Sequence, residues 1–225
     1  MAKYGKLVKL ENQLYLLINW KDLQTMISEL GEKILENYQP NLIVGVVRGG
    51  IIVANLLSDY LFGEKRNFEI LAVRCRTWSN VEEGRIPSEK DFLLVQDIPF
   101  KNLQSYNVLG VDDVLDTGTT WKELKKAIED KQPKNLKIAS LHLKDWSKIE
   151  PDFYVEKISH KVWVFYPWEV REVSENAIKK LIKNGYSFED AKREIRKSFD
   201  YVYQELESKT LEKIFQEIEK SVSSN

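Results

Sequence analysis

The sequence predicts an α/β fold, with an open, mostly parallel sheet flanked by helices and a C-terminal helical extension. Three observations carry this expectation. Short apolar runs rich in β-branched residues alternate with helical periodicities from about residue 42 to 143. One of these runs, Val108 to Val111, passes through two acids into a Thr-Gly-Thr-Thr turn and then a helical stretch. After Pro167-Trp168 the strand signals stop and only helical spacing remains.

In chain order, Leu7 to Ile18 alternates loosely around Glu11-Asn12 and reads as a hairpin or paired strand. Leu23, Met26, Ile27, Leu30 and Ile34 recur at helical spacing within Asp22 to Tyr38, and Pro40 ends that helix. Leu42 to Val47 is a buried strand, Arg48-Gly49-Gly50 a break, and Ile51 to Phe62 a second helix. Phe68 to Arg74 is the next strand. Thr77 to Pro99 is polar and irregular, a long loop of the kind that is often functional. Asn107 to Val111 is a strand, Trp121 to Glu129 a helix, and Leu136 to Leu143 and Lys161 to Tyr166 are strands. Ser174 to Lys183 is helical and stops at Asn184-Gly185. Ser187 with Asp190 forms a capping box that opens a run through Leu206, and Leu211 to Ile218 continues on a last helix.

Composition narrows the function. The chain has 225 residues, 43% hydrophobic and 31% charged, enough for one core domain plus an appendage. A net charge of -1 gives no basic surface for nucleic acid. The single cysteine, Cys75, allows no intrachain disulfide or cysteine-based zinc site, and two histidines are too few for a histidine-rich one. No apolar run suggests a signal peptide or a membrane span, so a cytoplasmic protein with no membrane partner is expected. Abundant Glu, Lys and Ile with only two Met point toward a thermophile.

The chemistry concentrates in Val111 to Thr120. Ligands of an open parallel sheet bind beyond the carboxyl ends of its strands. A Thr-Gly-Thr-Thr turn opening a helix offers free backbone N–H groups, hydroxyls and the positive end of the helix dipole, which together cradle a phosphate. Asp112 and Asp113 cannot bind phosphate directly; they suit sugar hydroxyls, or magnesium through water. An ordinary capped turn would explain an isolated Asp-Thr-Gly, but less readily the whole run in this context. The Gly and Lys spacing of a P-loop is missing.

This segment resembles the phosphoribosyl diphosphate signature of type I phosphoribosyltransferases. The resemblance implies that Asp112 and Asp113 hold the ribose hydroxyls and that Asp116, Thr117, Gly118, Thr119 and Thr120 hold the 5′-phosphate. Val46 to Gly50 is similar to the family's pyrophosphate loop, which often contains a cis peptide, and Arg48, Gly49 and Gly50 would serve it. Arg74 to Trp78 enters a stretch similar to the mobile active-site loop, with Thr77-Trp78 as its hydroxyl–aromatic pair. Arg76 there, with Arg48, Arg74 and Arg171, is a candidate for the pyrophosphate charge. Plain turns and an exposed basic loop are the alternatives.

Resemblance also bears on the base. Asp116 stands where the hypoxanthine, guanine and xanthine enzymes place an acid facing purine N7, a general base or proton relay; it could equally cap the helix. Lys144 stands where that branch donates to the exocyclic oxygen, or is a solvated surface lysine. Val162 to Glu169 is similar to the base-covering hood, with Trp163 stacking on the purine and the Val164 backbone reading its edge, or with Trp163 a core aromatic. Glu169 stands where an Asp is usual; with Asp112 and Asp113 it would meet Mg2+, the implied cofactor.

The implied enzyme joins a purine, preferentially a 6-oxopurine, to ribose 5-phosphate from phosphoribosyl diphosphate. An adenine enzyme of the same descent and a non-catalytic phosphoribosyl-binding regulator stay open. Residues 1–170 would form the core with its hood and residues 171–225 the extension, which either makes a homodimer interface or covers the base.

Overall fold

The structure, a computed structural model, describes residues 2–63, 67–78, 92–95 and 98–223, without the side chains of 76–78 and 92–95. The chain divides into two compact units, residues 25–160 and residues 1–24 with 161–225.

The unit of residues 25–160 is built on a five-stranded parallel sheet. Its strands are β3 (Leu42–Val46), β4 (Glu69–Val73), β7 (Asn107–Leu115), β8 (Asn135–Lys144) and β9 (Phe153–Ile158), in the order β4-β3-β7-β8-β9. All five residues of β3 are buried, as expected of a central parallel strand covered on both faces. The helices are most of α1 (Trp20–Asn37), α2 (Gly49–Phe62) and α3 (Thr119–Glu129). The periodic residues predicted for α1 are buried, Leu23, Met26, Leu30 and Ile34 completely. A core of Leu42, Val44, Val46, Val108, Leu115, Trp121, Leu124 and Ile138 joins the sheet to α3.

Four sequence expectations change here. First, β7 does not stop at Val111 but runs to Leu115, so the two acids lie within a strand. Aspartate is a poor strand former, yet Asp112 and Val114 are in register with Ser140 and His142 of β8, and that pairing overrides local preference. Second, the supposed loop from Thr77 begins and ends in an antiparallel ribbon of β5 (Cys75–Trp78) and β6 (Phe92–Val95), with Trp78 opposite Phe92; residues 79–91 lie outside the described ones. Third, β9 was not anticipated. It is parallel to β8 although only residues 145–152 connect them, too few for the usual helical crossover. The connection instead turns back, through turns and bends, toward the start of β8, where the Asp152 carboxylate accepts from Ile138 N at 2.8 Å and Lys137 Nζ at 2.6 Å. Fourth, β8 includes Lys144, which was expected just beyond it.

The other unit holds the predicted hairpin, β1 (Lys6–Leu10) with β2 (Gln13–Leu17), and β10 (Val162–Phe165) lies parallel to β2 on its other edge. Its helices are α4 (Val170–Lys183), α5 (Phe188–Ser198), α6 (Asp200–Tyr203) and α7 (Ser208–Ser223). Helix α4 starts four residues before the expected Ser174. The run expected from Ser187 is interrupted at Phe199, whose ring meets Tyr15 and Phe165 edge-on at 5.0 and 5.2 Å. Ser187 does cap α5, accepting from Asp190 N at 3.1 Å. No described helix is long and apolar enough to cross a membrane.

Candidate active site

The candidate site lies at the carboxyl ends of β3, β7 and β8, where two strand–turn–helix units meet. The first is β3 into α2. The Val47–Arg48 peptide is cis, as the resemblance anticipates, and α2 begins at Gly49. A Cβ on Gly49 would stand 1.8 Å from Asp113 Oδ2, and one on Gly50 would stand 2.5 Å from Val111 O. The two glycines therefore let the helix start press directly against the acidic pair on β7. This is a closer demand than the turn that sequence reasoning supplied.

Asp112 and Asp113 follow one another along β7, both half-buried. Asp113 N donates to Asp112 Oδ1 at 3.0 Å and Val114 N to Asp113 Oδ1 at 2.9 Å. Trp121 Nε1 donates to Asp112 Oδ2 at 2.9 Å. That indole is 1% exposed and lies over Gly110, where any Cβ would be 2.3 Å from the ring. A glycine inside an apolar strand signals such close approach, so Trp121 was findable, yet the sequence reading gave it only a helix start. Burial, then the charge of Asp113, raises the Asp112 carboxyl well above its ordinary range. Burial also raises Asp113, and the hydrogen bond with Asp112, then backbone N–H donors and last the positive Arg48, pull it partly back. Burial and then Asp112 push the Cys75 thiol up to about 11, so it stays protonated and unreactive at neutral pH.

The second unit is β7 into α3. Its N-cap is Gly118, at φ 81°, a left-handed conformation that disfavours other residues. No side chain caps this helix. Thr117 Oγ1 and Thr119 Oγ1 are 3.0 Å apart, and Lys148 N donates to Thr117 O at 3.1 Å. A Cβ on Gly118 would stand 3.0 Å from Ile149 N, so the return segment from β8 runs close along this loop. Asp116 is exposed and makes no cap; its Oδ1 accepts from Trp146 Nε1 at 2.7 Å. Trp146 was not among the expected site residues. It stacks on His160, with centroids 4.6 Å apart and planes at 18°.

Lys144, at the end of β8, is 6% exposed, which rules out a solvated surface lysine. Burial lowers its pKa, while the charges of Asp116 and Asp145 act the other way. Two residues earlier, His142 is fully buried, 3.9 Å from Glu156, and is held neutral with a pKa of about 3 by burial and then by Lys144.

The unit of residues 25–160 thus gathers Arg48, Gly49, Gly50, Asp112, Asp113, Asp116 to Thr120 and Lys144. The remaining expected residues stand elsewhere in the chain or beyond description. The side chains of Arg76, Thr77 and Trp78 lie outside the described ones. Trp163 and Val164 are on β10 in the other unit, in register with Tyr15 and Leu16. Trp163 is 54% exposed, so it is not a core aromatic. Glu169 precedes α4, and its Oε2 accepts from Tyr166 N at 3.3 Å. Arg171 is engaged by Glu217 at 2.8 Å. Trp168 stacks on Tyr166 at 4.7 Å. Among the described residues no group of three His, Cys, Asp or Glu is arranged to hold a metal.

Comparison with known proteins gives a consistent result. A family model described as phosphoribosyl transferase domain matches residues 19–175. The chain is 26% identical over 153 residues to a xanthine-guanine phosphoribosyltransferase of Idiomarina loihiensis, covering 68% of this chain and 86% of that protein. It is 27% identical over 165 residues to a hypoxanthine-guanine phosphoribosyltransferase of Staphylococcus aureus, covering 71% and 88%. Among solved structures it is similar to a purine phosphoribosyltransferase of Pyrococcus horikoshii, with 30% identity and a TM-score of 0.57 over 68% of this chain and 92% of that one.

Proposed function

The chain belongs to the phosphoribosyltransferase family, and on that premise we propose that it makes purine nucleoside 5′-monophosphates, with a 6-oxopurine as the preferred base. Phosphoribosyl transfer is the family's chemistry and this chain is an enzyme of that kind. The observation that carries the purine reading is the presence, beside the phosphate loop, of the exposed carboxylate Asp116 and the buried Lys144, on which the Asp116 charge acts. A carboxylate and a lysine there suit the proton at N7 and the oxygen at position 6 of one flat base.

In this reading N9 of the base bonds to C1′ of phosphoribosyl diphosphate, the C1′–O bond breaks, pyrophosphate leaves, and the N7 proton passes to Asp116. Asp112 and Asp113 hold the ribose hydroxyls, Thr117 to Thr120 hold the 5′-phosphate, and Arg48 with the Gly49 and Gly50 amides receives the pyrophosphate. Trp121 steadies Asp112 through its N–H. Trp163, the Val164 backbone and Arg76 are assigned on the family resemblance. So are Glu169 as a metal contact and the homodimer, while the cytoplasmic location is proposed from the sequence's lack of a signal-peptide-like or membrane-spanning apolar run.

Magnesium fits the donor set. Asp112 and Asp113 offer hard oxygen donors with no third acid beside them among the described residues, which suits an ion bound chiefly by the substrate's own phosphates. When bound, it neutralises charge on the leaving group.

Purified protein with phosphoribosyl diphosphate, Mg2+ and each of adenine, hypoxanthine, guanine and xanthine tests the reading. Turnover is expected with at least one 6-oxopurine. Turnover with adenine alone moves the assignment to an adenine enzyme, and tight binding without product moves it to a regulator. Asp116→Asn should lower kcat by about 100-fold or more while leaving phosphoribosyl diphosphate affinity nearly unchanged. Equal loss of both contradicts the proton role.

A further inference from the structure

Asp116 sits on an exposed turn, and nothing in its own helix fixes it, because the cap of α3 is Gly118. A free carboxylate there would sample several rotamers. Among the described residues, the hydrogen bond from Trp146 Nε1 to Asp116 Oδ1 restrains it. The donor is itself braced. Its ring lies on His160, and His160 is held twice by Asp145 Oδ1, through its backbone N at 2.9 Å and its ring Nδ1 at 2.8 Å. The short segment carrying Trp146 is tied at both ends, by Ser147 N to Lys144 O and by Lys148 N to Thr117 O, each 3.1 Å.

We propose that Trp146 is a positioning residue for Asp116, held in place by the Asp145–His160 bracket. The proposal rests on the proton role given to Asp116 above. An indole suits this task better than a lysine would. Its N–H is a donor only and is neutral, so it fixes one carboxylate oxygen without cancelling the negative charge. The other oxygen, Oδ2, remains to take the proton. Lys144 already supplies positive charge nearby, and Trp146 adds direction without adding a second charge.

The test is steady-state kinetics of Trp146→Phe, alone and combined with Asp116→Asn, beside the indole N–H signals in 15N-labelled protein. Trp146→Phe is expected to lower kcat about ten-fold with little change in KM for phosphoribosyl diphosphate. In the Asp116→Asn background it should cost nothing further, since the group it aims has gone. His160→Ala should lower kcat likewise, and His160→Phe, which keeps a flat ring, should restore most of the loss. The Trp146 indole signal should move on Asp116→Asn. A faster Trp146→Phe enzyme with a lower KM for the base would show that Trp146 is a plug that the base displaces, and would overturn the proposal. So would a similar loss in the Asp116→Asn background. An indole signal indifferent to Asp116→Asn overturns it even if no purine turns over, an outcome that would separately refute the purine assignment.

Discussion

Alanine at position 49 and alanine at position 50 should fail in different ways. At Gly50 the new Cβ stands 2.5 Å from Val111 O and 3.0 Å from Asp112 Cα. Both atoms belong to the backbone of β7, which is paired on both sides. Ordinary contact begins near 3.4 Å, so helix and strand must part by about 0.9 Å (3.4 less 2.5). Overpacking of this kind costs about 1–3 kcal/mol, against a helix-propensity gain of at most about 1 kcal/mol. Gly50→Ala should therefore lose about 1–2 kcal/mol of stability. At Gly49 the clash is with the Asp113 carboxylate, 1.8 Å from the Cβ, and a side chain can rotate away. Gly49→Ala should keep its stability within about 0.5 kcal/mol but displace the group assigned to ribose. Losing one charge-assisted hydrogen bond, about 1.5–3 kcal/mol, weakens phosphoribosyl diphosphate binding about ten- to hundred-fold. Urea unfolding gives the first quantity and titration calorimetry with Mg2+ the second. A Gly49→Ala protein less stable than Gly50→Ala, or one binding as the parent does, refutes the reasoning.

Three further expectations follow from the same geometry. The raised Asp112 carboxyl keeps a proton in the folded state that the unfolded chain has released, so it lowers stability as pH rises from about 4 through its native value. Asp112→Asn should flatten the fall of the urea midpoint with rising pH while impairing substrate binding, and an unchanged slope contradicts this. His142 acts in the opposite sense. With its pKa at about 3 against 6.5 unfolded, the native state refuses a proton that the unfolded chain accepts, and stability falls by up to about 1.4 kcal/mol per pH unit as pH drops between those values. His142→Gln should flatten urea midpoints measured between about pH 6 and 4, and an unchanged slope counts against the assignment. Ser187→Ala removes the cap of α5 and should cost about 1 kcal/mol, seen as a fall of about 2–4 °C in Tm. An unaltered melting curve would show that this cap contributes nothing.

The legible parts of the fold were those where one stretch of chain carried the whole signal. Leu42 to Gly50 and Val108 to Thr120 each join an apolar run to a glycine-bearing turn and a helix, so strand, loop and helix could be read together. The features missed are set by partners far away in sequence. Strand β9 has only six residues and no helix before it, and its parallel pairing with β8 decides its state. The carbonyls and amides of β8 likewise carry β7 through two aspartates. Asp116 and Lys144 were readable because a family motif fixes their places. Trp146 and His160 belong to no motif, and their role exists only once the return from β8 brings them against the turn after β7.

The pairing of β2 with β10 has a consequence for how the chain is made. Residues 25–160, with the sugar and phosphate machinery, form one uninterrupted stretch, and all of it emerges from the ribosome before β10 does. Domains generally fold as units during synthesis, so this stretch is free to fold first. The hairpin of β1 and β2 emerges before this stretch yet must wait for its end, because the second edge of β2 stays open until residues 162–165 arrive. An open strand edge invites foreign strands in the meantime. That edge is thus exposed throughout synthesis of the intervening stretch, and slow elongation through that part of the message would lengthen the exposure.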